Sequence, residues 1–191
     1  MSQRVPDSHL VHDVFVERTS TRSFTDQSVT DDELAAVFEA ARWAPSWMNN
    51  QPWYFVYATE GADRTGILYT FLESNRIWAQ NAPVAGLVIA RTELEGAMAR
   101  TRDFDVGIAT GGLIIQAGLL GISVHLLGGI DVDAAHELTG ADPAISEVIC
   151  GFVMGRKGDG RELSEKLRAR EVPSQRKSVG DFAHRGATLP S

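Results

Sequence analysis

The sequence predicts an α+β fold, in which helices alternate with strands along a single domain. A capping box at Thr30–Glu33 marks the start of a helix, because each side chain can accept a hydrogen bond from the other residue's main-chain amide. Residues 84–90 form a continuous apolar run, which is typical of a strand buried on both faces. A chain of 191 residues can bury roughly two-thirds of its unfolded surface. We therefore expect one domain over residues 1–191.

Two helices are expected before residue 45. Residues 9–17 carry apolar side chains at helical spacing, which predicts one stripe packed against a core. The second helix begins at the capping box and ends before Pro45, because the residue before a proline is pushed out of the helical region. Its predicted buried face consists of Leu34, Val37, Phe38 and Ala41.

The rest of the chain alternates strands with helices and ends in a long basic tail. Residues 106–120 are apolar nearly all round, so this helix must be enclosed either by the domain or by a partner subunit. The strands are expected at 54–58, 84–90, 122–127 and 147–154, and the remaining helices at 62–81 and 131–138.

A loop at residues 44–53 places amide side chains, a hydroxyl and two indoles between two apolar elements. Amides offer donors and an acceptor in a fixed plane, and indole faces offer flat apolar cover. The loop is therefore a candidate wall of a pocket for a planar ligand. Its residue types are also ordinary in turns and cores, so the pattern by itself leaves a purely structural loop open.

Residues 18–24 alternate cations with hydroxyls at the end of the first predicted helix. Arg18 and Arg22 offer planar forks of donors for phosphate oxygens, and the Ser and Thr side chains add neutral hydrogen bonds. A solvated helix end is the alternative interpretation. A phosphate site together with a planar-ring site describes a mononucleotide.

Together, the two segments resemble the nitroreductase family of flavin mononucleotide (FMN) oxidoreductases. In that family an arginine-rich segment is followed by a helix and then by Ala-Pro-Ser-x-x-Asn-x-Gln-Pro-Trp. This chain matches the second motif at every specified position from Ala44 to Trp53, and it departs from the first at Thr19, where the family often has Arg or His. Looser matches extend the resemblance over residues 17–178, and they are Asn75, Gly128, Gly129, Arg176 and Lys177.

The resemblance implies a central, mainly antiparallel β-sheet flanked by helices, with a C-terminal tail that wraps onto the partner subunit. It also implies a homodimer that binds FMN at the subunit interface. The residues expected to contact the partner's cofactor are Pro45, Ser46, Asn49 and Gln51. The other expected cofactor-binding residues are Arg18, Thr19, Ser20, Arg22, Asn75, Gly128, Gly129 and Arg176.

The same resemblance assigns roles within this set. Arg18, Ser20 and Arg176 are expected to hold the phosphate, with Ser174 standing where the family often has a Lys. Arg22 is expected at the pyrimidine edge of the flavin, where a cation stabilises the negative charge of the reduced ring. The Gly128–Gly129 pair would bring main-chain amides close to the ring, because glycine permits such an approach. A plain turn is the alternative for this pair.

The activity implied by the resemblance is a two-stage transfer of electrons. NADPH or NADH delivers hydride to N5 of FMN and leaves, and a nitroaromatic, a quinone or a similar small acceptor is then reduced in the same cleft. No protein side chain is required as a covalent nucleophile, so no catalytic residue is predicted. Two alternatives stay open. One is a flavin dehydrogenase or dehalogenase of the same fold, and the other is a non-catalytic flavin-binding protein.

Composition argues against several other classes of function. The net charge of −7 disfavours nucleic acid as a partner, since phosphate backbones are bound through concentrated Lys and Arg. A single cysteine, Cys150, precludes an intrachain disulfide, and its apolar surroundings predict a small buried thiol. The five histidines show no metal-binding spacing, so no metal is predicted, and His125 is expected to be a core residue.

The chain is expected to work in the cytoplasm. Residues 1–7 are polar, and no basic, apolar and small-residue series typical of a signal peptide follows them. The longest apolar stretches fall short of the roughly twenty residues that a bilayer span requires. No membrane association is therefore predicted.

Overall fold

Residues 4–93 and 99–186 are the part of the protein that the computed structural model describes, and four β-strands form its central sheet. The strands are β1 (Trp53–Ala58), β2 (Val84–Arg91), β3 (Ser123–Leu127) and β4 (Ser146–Gly155). The helices are α1 (Asp13–Glu17), α2 (Asp31–Arg42), α3 (Gly61–Tyr69), α4 (Glu73–Ala79), α5 (Ala99–Leu119), α6 (Val132–Thr139) and α7 (Glu165–Arg168).

The sheet has the strand order β1-β2-β4-β3, and each neighbouring pair is antiparallel. This arrangement confirms the predicted α+β fold with a mainly antiparallel sheet. The apolar run of β2 lies second in the sheet and is buried along Val84–Ala90. One extra residue of β4, Ile149, bulges between the partners of Val88 and Ile89. Central position and two covered faces explain why β2 is apolar throughout rather than alternating.

Helices cover both faces of the sheet. On one face, α3, α4 and α6 pack over a core that includes Phe71 and Trp78. On the other face, α2 and α5 pack over a core that includes Leu34 and Leu113. The side chains of β2 alternate between these two cores, as the two-residue period of a strand requires.

The capping box at the start of α2 is confirmed. Thr30 Oγ1 accepts from the amide of Glu33 at 3.3 Å, and the Glu33 carboxylate accepts from the amide of Thr30 at 3.0 Å. The predicted buried face of the helix is confirmed for Leu34, Val37 and Ala41, whereas Phe38 is only half-buried and stacks on Tyr57 of β1.

Three further predictions differ from the structure. Residues 62–81 form two helices, α3 and α4, because a turn at Thr70–Leu72 pairs with residues 129–131 after β3. The first helix starts at Asp13, and of its predicted apolar stripe only Val14 is buried. Cys150 is half-buried rather than fully buried, and burial raises the pKa of its thiol to about 11.

The C-terminal tail contacts the N-terminal segment of its own chain. Asp7 accepts a hydrogen bond from the amide of Val179 at 2.7 Å, and Arg4 donates to the carbonyl of Ser174 at 3.0 Å. Wrapping of the tail onto a partner subunit stays a prediction. Within residues 4–93 and 99–186, no helix has both the length and the apolar character needed to cross a membrane.

Candidate functional site

Five arginine side chains converge on a cavity of about 390 Å³ beside the segment that follows α1. Thr19 and Ser20 also line this cavity, and among the described residues around it Glu171 is the one acidic side chain. The arginines are Arg4, Arg18, Arg22, Arg170 and Arg176. Such an excess of guanidinium groups over carboxylates suits an anion with several oxygens, such as a phosphate. The structure therefore brings the two predicted phosphate-binding segments, 18–22 and the basic tail, to one place.

Arg4 connects the segments that form the walls of this cavity. Its Nη1 donates to the carbonyls of Val16 at 2.9 Å and Arg18 at 2.7 Å, and its Nε donates to the carbonyl of Ser174. Ser174 in turn accepts from Arg176 Nη1 through its hydroxyl at 2.8 Å. The N-terminal segment, the end of α1 and the tail are thus joined by one side chain. Arg4 was not predicted, because it stands alone in a polar segment.

The guanidinium groups of the cavity repel one another. Burial and then the charges of Arg176 and Arg4 lower the pKa of Arg18 from its ordinary value. Burial and then Arg176 likewise lower the pKa of Arg4. Crowded cations of this kind are stabilised by a bound anion, because the anion offsets their mutual repulsion. The cavity therefore fits the phosphate of a mononucleotide.

Arg22 extends from the cavity towards α4. Its guanidinium lies 5.7 Å from the centre of the Trp78 ring, a cation–π distance. Arg22 Nη1 also lies 3.4 Å from Oε1 of Glu171. The side chain therefore contacts both an indole and a carboxylate. Glu171 was not predicted, because nothing in the sequence relates it to a residue 149 positions away.

Asn75 lies one turn before Trp78 on α4 and contacts the turn after β3. Its Nδ2 donates to the carbonyl of Gly129 at 3.1 Å. A Cβ added at Gly129 would lie 2.6 Å from that nitrogen, so any other residue there would displace the Asn75 amide from this contact. The neighbouring Gly128 is exposed, with open space where a side chain would be. Arg22, Asn75 and the glycine pair therefore lie near one another, connected through α4.

The loop at residues 44–53 has an unusual backbone. Met48, Asn49 and Gln51 have φ values of 50°, 56° and 46°, a region that residues with side chains rarely adopt. Each such residue costs on the order of 1 kcal/mol, so three within four positions indicate a strained loop. Ser46 stabilises it, since its hydroxyl accepts from the amide of Gln51 at 2.9 Å and its carbonyl accepts from the amide of Asn49 at 3.1 Å.

Two charged residues outside the motif also hold this loop. Asp105 of α5, only 5% exposed, accepts from the amide of Trp47 at 2.9 Å. Arg91, at the end of β2, donates to the carbonyl of Asn50 at 3.0 Å. Neither was predicted as a functional residue. A carboxylate in the otherwise apolar stretch after residue 104 was an available signal for Asp105, since buried charges require partners.

The predicted cofactor-binding residues therefore form two separate groups. The first group surrounds the arginine cavity and α4, beside the edge strand β3. The second group, Pro45, Ser46, Asn49 and Gln51, precedes the opposite edge strand, β1, and lies against α5 on the other face of the sheet. Three inter-strand spacings of about 4.8 Å put the two edge strands roughly 14 Å apart. One chain does not bring the two groups together.

His125 of β3 is a satisfied core residue, as predicted. It is 8% exposed, its Nδ1 lies 2.8 Å from the carbonyl of Thr21, and its ring lies 4.6 Å from that of Trp78. Burial is the largest cause that lowers its pKa, and the nearby Arg22 adds to this effect. Within the described residues no cluster of His, Cys, Asp or Glu could hold a metal ion.

The pKa of His125 makes stability depend on pH. In the unfolded chain this imidazole takes up a proton as pH falls through about 6.5, while in the folded chain, where burial lowers its pKa, it does so only at a lower pH. The free energy of unfolding should therefore fall below that pH, by up to about 1.4 kcal/mol per pH unit from this group. Urea unfolding between pH 7.5 and 5 should show a flatter dependence in His125→Gln. The exposed His184→Gln is the control, and an equal flattening in both variants would contradict the assignment.

Comparisons with known proteins agree with this geometry. The sequence model of the Nitroreductase family matches residues 16–95. A crystal structure described as an oxidoreductase containing FMN has 32% sequence identity to this chain and a TM-score of 0.88, and the match covers 100% of this chain and 99% of that one.

Two curated relatives match shorter segments. A protein of Rhodopseudomonas palustris (strain TIE-1), provisionally named NADH dehydrogenase/NAD(P)H nitroreductase, is 30% identical over 93 residues, which is 49% of this chain and 47% of that protein. A nitrobenzene nitroreductase from Ectopseudomonas oleovorans is 32% identical over 79 residues, 41% of this chain and 34% of that protein. The chain matches less than half the length of each of these relatives.

The family match covers part of the candidate site. Residues 16–95 contain residues 18–22 of the arginine cavity, the strained loop and Asn75. The likeness to the FMN-containing oxidoreductase extends along the whole chain and includes the antiparallel sheet with its two helical layers. Sequence and fold thus lead to the same conclusion, that the chain belongs to the nitroreductase family.

Proposed function

We propose that this protein is an FMN-dependent oxidoreductase that takes electrons from NADPH or NADH and passes them to a nitroaromatic, a quinone or a similar small acceptor. The observation that carries the proposal is the arginine cavity. Its Arg22 reaches Trp78 of α4, the helix whose Asn75 contacts the glycine turn after β3. The names of the similar proteins, an oxidoreductase containing FMN and NAD(P)H or nitrobenzene nitroreductases, support it.

The residues of the first group fit the two ends of FMN. Arg18, Ser20 and Arg176 would hold the phosphate, and Thr19 lines the same cavity. Arg22 would face the pyrimidine edge of the ring, where a fixed cation stabilises developing negative charge. Asn75, Gly128 and Gly129 would supply amide contacts to the ring. When bound, FMN supplies the chemistry by accepting hydride from the nicotinamide at N5 and passing the electrons on to the acceptor.

A homodimer would complete the site. The second group, which lies at the opposite edge and on the other face of the sheet from the arginine cavity, would contact the cofactor held mainly by the other copy. In a two-fold dimer each copy would therefore contribute to two sites, because a two-fold interface uses the same surface on both subunits. Pro45, Ser46, Asn49 and Gln51 are the residues proposed for this role.

The outer face of α5 supports this dimer. The helix is apolar, yet its side chains Phe104 and Leu119 are 70% and 53% exposed to solvent. A methyl group at Gly107 or Gly111 would meet open space, so a second helix could approach closely there. The opposite face of α5 is buried in the core through residues such as Leu113. Its own chain therefore covers one face of α5, which is part of the predicted enclosure, and a second copy would cover the other face.

The absorbance spectrum of the purified protein tests the proposed function. We expect the bands of oxidised flavin, released FMN after denaturation, and bleaching of the bands by NADPH or NADH without oxygen. A colourless protein that does not bind added FMN would overturn the proposal. Bound FMN that neither nicotinamide reduces would favour a flavin dehydrogenase or a non-catalytic flavin-binding protein.

Replacement of Arg22 tests its assigned place at the ring. Arg22→Ala should bind FMN about 10- to 100-fold more weakly and should be reduced more slowly by NADPH, since a charge-assisted contact contributes about 1.5–3 kcal/mol. Titration of the apoprotein with FMN and rapid mixing with NADPH measure the two effects. Arg161→Ala removes an arginine whose side chain is 89% exposed and serves as the control. Unchanged affinity and rate would remove Arg22 from this role.

A further inference from the structure

A carboxylate lies inside the arginine cavity, where the proposed ligand is itself an anion. Glu171, from the tail, accepts from Thr21 Oγ1 at 2.6 Å and from the amide of Arg22 at 3.2 Å. Its Oε1 also lies 3.4 Å from Nη1 of Arg22. The two oxygens of one side chain thus hold both the backbone and the guanidinium of the segment proposed to contact the flavin.

Arg22 is confined by this contact. The side chains of Arg22 and Glu171 are 17% and 16% exposed, so water screens their charges only in part. Trp78, which is 2% exposed, lies beneath the guanidinium, and Thr21, 1% exposed, fixes the neighbouring backbone. The position of the guanidinium is therefore set by three neighbours rather than by solvent.

We propose that Glu171 is a positioning residue that fixes Arg22 against Trp78 and lowers the reduction potential of the bound flavin. The inference rests on the proposed function, because it concerns FMN in that site. A cation near the pyrimidine edge favours the reduced, more negative ring. A carboxylate beside that cation cancels part of its field, since the potential of a close ion pair falls off faster than that of a single charge. The pair thus keeps the orientation of Arg22 while moderating its electrostatic effect.

Two other roles for Glu171 predict different results. If the incoming FMN displaces Glu171 from Arg22, the carboxylate only competes with the cofactor, and its removal strengthens binding of oxidised and reduced FMN equally. If Glu171 only holds the backbone at Thr21, its removal weakens binding of both forms equally. Only a charge that stays beside Arg22 changes the ratio of the two affinities.

The experiment measures that ratio in holoprotein carrying Glu171→Gln. The dissociation constant of oxidised FMN comes from titration of the apoprotein, and the midpoint potential of the bound flavin comes from equilibration of the holoprotein with a redox dye. We expect the preference for reduced over oxidised FMN to rise about tenfold, which for a two-electron couple raises the potential by about 30 mV. Glu162→Gln, at an exposed position of the same tail, controls for the change in net charge and should leave the ratio unchanged.

Two further variants separate charge from structure. Thr21→Val removes the hydroxyl that donates to Glu171 without changing any charge, and the ratio should stay near that of the native protein. Glu171→Asp keeps the charge but moves it away from Arg22, so a smaller shift of the ratio in the same direction is expected. This variant also tests the inference if Glu171→Gln does not fold. An unchanged ratio in the folded Glu171 variants would overturn the inference while leaving the proposed function intact. Failure of the native protein to bind FMN would instead contradict the proposed function.

Discussion

Arg18→Ala is expected to lower the affinity for FMN about 10- to 100-fold without destabilising the apoprotein. The loss of affinity follows from the charge-assisted contacts that a guanidinium makes with phosphate, which contribute about 1.5–3 kcal/mol. The apoprotein should keep its stability because burial, followed by repulsion from Arg176 and Arg4, lowers the pKa of Arg18, and its removal relieves both unfavourable effects. Fluorescence titration with FMN and thermal unfolding of the apoprotein measure the two quantities separately.

Riboflavin provides a control within the same experiment. It carries the flavin ring but no phosphate, so the native protein and Arg18→Ala should bind it with equal affinity. Arg161→Ala, which removes an exposed arginine, should bind FMN as the native protein does. A loss of riboflavin affinity as large as the loss of FMN affinity would show that Arg18 acts on the ring or on the fold and not on the phosphate.

Mixing two defective variants should restore native FMN sites. The first is Arg18→Ala, and the second is the double variant Asn49→Gly with Gln51→Gly. Glycine tolerates the positive φ values of 56° and 46° at these positions, so the double variant removes two amides without adding strain. In a hybrid dimer one site carries both defects and the other carries neither. After unfolding and refolding an equal mixture, about one site in four should bind FMN with native affinity.

A shared site and a site within one chain give opposite results in this test. If one chain supplied all the residues, every site in the mixture would carry one defect, and no native affinity would return. Each variant refolded alone provides the baseline. An FMN titration with two phases, the tighter one comprising about a quarter of the sites, would support the shared site.

Local signals in the sequence predicted much of the fold. The capping box at Thr30 depends on residues close in sequence, and the apolar run of β2 reflects a strand covered on both faces. Both predictions are confirmed. The division of residues 62–81 into α3 and α4 was missed because it depends on a turn that pairs with residues 129–131. No pattern within residues 62–81 could encode a contact with a segment that distant.

The same limit applies to the candidate site. The segments around Arg18 and Asn49 were found from residue types and from a family motif. Arg4 and Glu171 were missed because they act through contacts across 170 and 149 positions of sequence. Asp105 could have been predicted more readily, because a lone carboxylate on the buried side of an apolar helix requires a partner.

The left-handed residues of the loop before β1 also bear on protein engineering. Glycine at position 48 or 49 would ease the backbone, so a screen that rewards heat resistance alone should enrich such replacements. The same replacements would remove side chains from a loop that Ser46 and Asp105 hold in place. Selection for heat resistance should therefore favour glycine in this loop, whereas selection for turnover should favour the native side chains. A stabilised variant that keeps its turnover rate would have to gain its stability elsewhere.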